Sequence, residues 1–67
     1  MTTELYEVYS LEEGDEILIM GNIYKIVDIE SLSGDTSSLL LIDENGDAKT
    51  LNANDMNKVR VVVPDID

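Results

Sequence analysis

Carboxylates are the groups in this chain whose type and spacing could support chemistry, and they gather twice. Glu12, Glu13, Asp15 and Glu16 crowd into one short stretch, and a carboxylic acid beside a carboxylate is the pairing that general acid and base catalysis can use. Asp43, Asn45 and Asp47 stand at the 1, 3, 5 spacing with which an EF-hand loop offers oxygen to calcium. Neither pattern carries through. Glycoside hydrolysis needs a cleft several sugars long, which 67 residues cannot easily enclose. The calcium pattern has Ala48 where position six needs Gly and Asn54 where position twelve needs Glu. Asp-Glu-Asn-Gly-Asp therefore reads first as a hairpin turn, and the earlier cluster as a solvated acidic loop able to serve as a docking patch.

With 0 His and 0 Cys, the commonest general base, the best nucleophile and the usual ligands of zinc, copper and haem are missing. A hydroxyl nucleophile would depend on a lysine, and Lys25 and Lys49 fall in expected strands with no spacing that argues for that role. The expectation is a non-enzymatic chain with no cofactor, no metal and no disulfide. Its 15 Asp+Glu against 4 Lys+Arg give a formal net charge of -11, which repels phosphate backbones and anionic headgroups. Direct nucleic-acid or membrane binding is thus not expected; a protein partner with a basic surface is. The opening MTTELYEVY has neither a basic cluster nor a long apolar run, and no stretch approaches the ~20 apolar residues that span a bilayer. A cytoplasmic location follows as an expectation.

Positioning these groups falls to short aliphatic blocks separated by turn residues, the pattern of antiparallel all-β structure in one domain. Residues 1–10 read as an N-terminal strand or arm, with Glu4 to Ser10 extended. Gly14 turns the chain into a strand from Asp15 to Met20, and Gly21-Asn22 marks a hairpin before a strand from Ile23 to Glu30. A polar loop from Ser31 to Ser37 precedes a strand from Ser38 to Asp43. Asn45-Gly46 suits a type I′ turn, and Ala48 to Leu51 returns. Asn52 to Asn57 reads as one 3₁₀-like turn, capped by Asn52 or Asn54 with Met56 inward, before the last strand, Lys58 to Val63. Residues 11–63 make the barrel and 64–67 a loose tail.

That order resembles the Src-homology-3-like small barrels, including the KOW and Tudor type. The residues carrying the resemblance are GDEILIMGNIYKIVDIE (Gly14 to Glu30) and NANDMNKVRVV (Asn52 to Val62). It implies a five- to six-stranded antiparallel barrel with one 3₁₀ turn before the last strand. Proline-peptide-binding members present an aromatic groove, whereas only Tyr6, Tyr9 and Tyr24 are available here. RNA-binding KOW members are basic where they touch RNA, and this chain is acidic. In size and charge it is similar to small acidic inhibitor proteins encoded by phages, a resemblance of composition only.

Ile17-Leu18-Ile19-Met20, Leu39-Leu40-Leu41-Ile42 and Val61-Val62-Val63 are apolar at consecutive positions, so both faces of these strands need covering. Folded-over termini and loops are one solution; a homodimer or partner surface is the other. The last strand reads as an edge, with Lys58 and Arg60 as its protection. All four basic residues are expected to pair with acids across neighbouring strands. The function read from the sequence is an interaction module that docks on a basic partner such as a nucleic-acid-binding enzyme and inhibits it. Glu12, Glu13, Asp15, Glu16, Asp28 and Glu30 form the acidic face, and Leu18 and Met20 its apolar centre. The alternative is a structural or accessory subunit of a larger assembly, such as a virion, joined through the apolar strands.

Overall fold

A computed structural model describes residues 1–64 of the chain; the expected loose tail lies, beyond Pro64, outside the described residues. The strands are β1 (Thr2–Glu7), β2 (Glu16–Ile19), β3 (Asn22–Ser31), β4 (Thr36–Ile42), β5 (Ala48–Asn54) and β6 (Lys58–Val63). They form one six-stranded sheet in the order β1-β6-β2-β3-β4-β5, antiparallel at every pairing. The fold is the all-β, barrel-like architecture that the block spacing implies. Two details differ. The sheet stays open, with β1 and β5 as its edges, and β6 lies inside it between β1 and β2. Lys58 and Arg60 therefore guard no edge.

The apolar runs resolve by strict alternation, since successive strand residues point to opposite faces. Ile17, Leu39, Leu41 and Val61 are buried, and with Val8, Leu11, Tyr24 and Ile26 they make the core. Their neighbours Leu18, Leu40 and Val62 take the outer face, where Leu40 remains 37% exposed. Part of the second apolar face is thus uncovered.

The 3₁₀ turn is Val8–Ser10, before β2. Ser10 Oγ donates to the Glu7 carbonyl at 2.8 Å and Leu11 N to the Val8 carbonyl at 3.1 Å, which swings Val8 and Leu11 into the end of the core. The strand expected through Ser10 stops at Glu7 because extension would have kept Val8 and Leu11 on opposite faces. Before the last strand there is instead a longer β5: Asn52, Ala53 and Asn54 find pairing partners in Ser38, Ser37 and Thr36, and a ladder satisfies more backbone than an isolated turn. Asn54 still caps the reversal, its Oδ1 accepting from Met56 N at 2.8 Å. Met56 faces solvent, 67% exposed.

Both hairpins form with altered turns. The β2–β3 loop is Met20-Gly21, since Ile19 pairs with Asn22; Met20 at φ 50 and Gly21 at φ 83 supply the two positive angles of a type I′ turn. The second hairpin is a type I turn closed by a left-handed Gly46 (φ 88), with Gly46 N donating to the Asp43 carbonyl at 3.0 Å. Asp43 Oδ1 accepts from Asn45 N and Asp47 N, each at 2.9 Å.

The curl is held at one end by Asp55. Its carbonyl accepts from Tyr9 N at 3.2 Å, its N donates to the Asp35 carbonyl at 2.6 Å, and Asn57 O accepts from Val8 N at 2.8 Å beside it. The Asp55 carboxylate accepts from the hydroxyl of Ser37, the buried polar residue of the core region.

Replacing Met20 by Asn, which enters the left-handed region readily, is expected to stabilise the fold by up to about 1 kcal/mol, whereas Gly21→Ala costs about 1 kcal/mol or more. Denaturant unfolding of the two variants checks both signs. Asp55→Ala strands the Ser37 hydroxyl and is expected to cost about 1–3 kcal/mol. In a double-mutant cycle, Ser37→Ala should cost less in the Asp55→Ala background than alone.

Candidate protein-binding site

The acidic residues are placed by a turn, a strand and a bulge. The turn Glu12–Asp15 is closed by Asp15 N donating to the Glu12 carbonyl at 3.1 Å and by Glu12 N donating to Asp15 Oδ2 at 2.9 Å. It is stitched to β3 at one residue: Gly14 N donates to the Ile26 carbonyl and Ile26 N to the Asp15 carbonyl, both at 2.8 Å. Glu12 and Glu13 are exposed there; the Asp15 carboxylate, half-buried, is engaged in holding the turn.

Beyond Ile26 the register with β4 shifts, because Ile26 pairs with Leu41 but Asp28 with Leu40, leaving Val27 as the extra residue of a β-bulge. The insertion reverses the facing of the rest of the strand. Ile29, opposite Leu39, packs against the core, while Asp28 and Glu30, opposite Leu40 and Ser38, are exposed. Without the bulge the two carboxylates would share the inner face with Tyr24 and Ile26. The turn carrying Glu12 and Glu13 thus meets the middle of β3 at Ile26, and Asp28 and Glu30 follow on the outer face beyond the bulge.

Glu16 and Leu18 stand elsewhere, on the outer face of β2. Glu16 lies between Val62 of β6 and Lys25 of β3, and Leu18 between Arg60 and Ile23. Met20, 95% exposed, caps the far end of the hairpin, roughly 13 Å along the strand from Glu16 at about 3.3 Å per residue. The two apolar residues thus follow Glu16 along β2 and into its turn, away from the Glu12–Asp15 turn.

Sequence reasoning missed the bulge. The break in apolar alternation at Val27-Asp28-Ile29 is its signal. Lys25 faces Glu16 and Lys58 faces Glu7 in register, as cross-strand charge pairing requires. The other two cations differ: Lys49 Nζ stands 5.6 Å from the centroid of the Tyr24 ring, and Arg60 reaches Thr3 Oγ1 at 3.5 Å. Tyr24 is buried, Tyr6 packs against the core, and Tyr9 is exposed. Among the described residues no group of three or more metal-ligating side chains converges, and no helix is long and apolar enough to cross a membrane.

Tyr6 Oη donates to Glu4 Oε2 at 3.2 Å. This bond, then the charge of Glu4, with smaller contributions from burial and from Asp15, raises the phenol above its ordinary 10.0. The folded chain keeps that proton to higher pH than the unfolded one. The stabilisation is complete below the unfolded pKa of about 10 and is lost as pH rises through the folded value. Following the Tyr6 ring resonances against pH, the midpoint in Glu4→Gln is expected to fall towards the ordinary value.

No family model matches the chain, and no curated protein matches it in sequence. Among solved structures the chain is similar to eukaryotic translation initiation factor 5A from Methanococcus jannaschii, with a TM-score of 0.72 and 29% identity over 88% of this chain and 49% of that one. The chain thus spans about half the length of that neighbour. The likeness bears on the small barrel-like fold; its neighbour is a translation factor rather than an enzyme.

Proposed function

We propose that the chain is a non-enzymatic interaction domain that docks through its acidic rim on the basic surface of a protein partner, such as a nucleic-acid-binding enzyme. The observation supporting this reading is the Gly14 turn bonded to Ile26 beside the Val27 bulge, which leaves Glu12, Glu13, Asp28 and Glu30 exposed along β3. Of the cations, Lys25 stands opposite Glu16 and Arg60 opposite Leu18. Carboxylates held on rigid backbone at the edge of a net -11 body speed encounter with a basic surface and reject phosphate-bearing ones. Where that surface is a nucleic-acid channel, docking excludes the nucleic acid and the chain acts as an inhibitor. The likeness to a translation factor supports binding over catalysis. A second reading, an accessory subunit of a larger assembly, is favoured by the exposure of Leu5 and Met20.

Capture on tagged protein, with washes at low and high salt, identifies the partner; titration of the purified pair then tests the site. Changing Glu12, Glu13 and Glu30 together to Lys is expected to weaken binding roughly tenfold or more, with thermal unfolding nearly unchanged. Equal binding by the triple variant moves the site elsewhere, and an affinity indifferent to salt rejects charge-driven docking.

A further inference from the structure

The outer face of β1, β6, β2 and the part of β3 before the Val27 bulge, residues 22–26, has a character opposite to the rest of the molecule, including the outer face of β3 beyond the bulge, where Asp28 and Glu30 stand. Register lines up Leu5, Arg60, Leu18 and Ile23 in one row across four strands, and Thr3, Val62, Glu16 and Lys25 in the next. Glu7 and Lys58 face each other at one end. Leu5 is 56% exposed and Met20 95%, and they border a depression of about 540 Å³ that Leu18, Lys58 and Arg60 also line. This face holds Lys25, Lys58 and Arg60 against Glu7 and Glu16. The remainder of the chain carries one cation and thirteen carboxylates.

We propose that this face is the contact between two copies of the chain, packed sheet to sheet about a two-fold axis. Two copies of a net -11 chain repel each other through nearly every surface. Here cations and carboxylates of both signs alternate with aliphatic side chains, so an isologous contact brings complementary charges together while covering Leu5, Leu18 and Met20. A basic protein, the occupant suited to the acidic rim, would meet three cations on this face. A strongly anionic one would meet Glu7 and Glu16 and the acids around them. The same chain satisfies both needs. The contact also covers Leu18 and Val62, the outer-face residues of the β2 and β6 apolar runs.

The test is sedimentation equilibrium of the full chain up to about 1 mM protein at low and high salt. A dimer that tightens as salt rises is expected, because screening removes the net repulsion while the apolar contact persists. Docking on a basic partner weakens with salt, so the two readings fail separately. Leu5→Glu is expected to weaken the dimer at least about tenfold with the monomer's unfolding unchanged. Met20→Asn, which relieves the turn, should stabilise the monomer yet weaken the dimer; it keeps the test informative should Leu5→Glu fold poorly. A monomer at all concentrations and salts overturns the proposal, as does a dimer unaffected by both variants.

Discussion

Asp55 holds the curvature on which the rest of the structure depends. A six-stranded sheet with one apolar face can bury that face only by curling over itself, and in this chain the curl is not completed by a β1–β5 ladder. One turn residue substitutes for the missing ladder by joining three segments: it accepts from Tyr9, donates to Asp35 and receives the Ser37 hydroxyl. Val8 and Leu11 are thereby drawn over the end of the core. Among the described residues the core is eight buried apolar side chains. A bond that fixes the curl acts on all of them together.

The same economy shapes the surface. A sheet so small has no separate scaffold for a site, so the carboxylates are positioned by the irregularities that shape the fold. The Val27 bulge turns Asp28 and Glu30 outward while returning Ile29 to the core. The turn at Gly14, bonded to Ile26, leaves Glu12 and Glu13 exposed alongside β3. Asp15 and Asp43 use carboxylate oxygens to hold their turns.

Charge is divided between two regions. The exposed carboxylates beyond the Val27 bulge and the mixed, apolar outer face of β1, β6 and β2 lie on parts of one sheet and differ in charge. A translation factor with a similar barrel over half its length shows that this shape can serve within a larger protein. The division of charge is this chain's own feature and follows from which side of β6 presents Lys58 and Arg60.

The sequence by itself determined the class of structure, six short strands, the positions of both hairpins and the span of the last strand, because period-two blocks and Gly or Asn turn signals act locally. It also determined the excess of acid and the absence of His and Cys. Tertiary structure decided what local signals cannot encode. Met20 takes the left-handed angle because Ile19 must face Asn22. Asn52 to Asn54 extend β5 because β4 offers them partners, and β6 is central because β1 pairs along its free side. Above all, the facing of Asp28 and Glu30 depends on a single inserted residue whose effect exists only relative to β4. Facing and neighbourhood are properties of pairs of strands, and a chain read one strand at a time does not contain them.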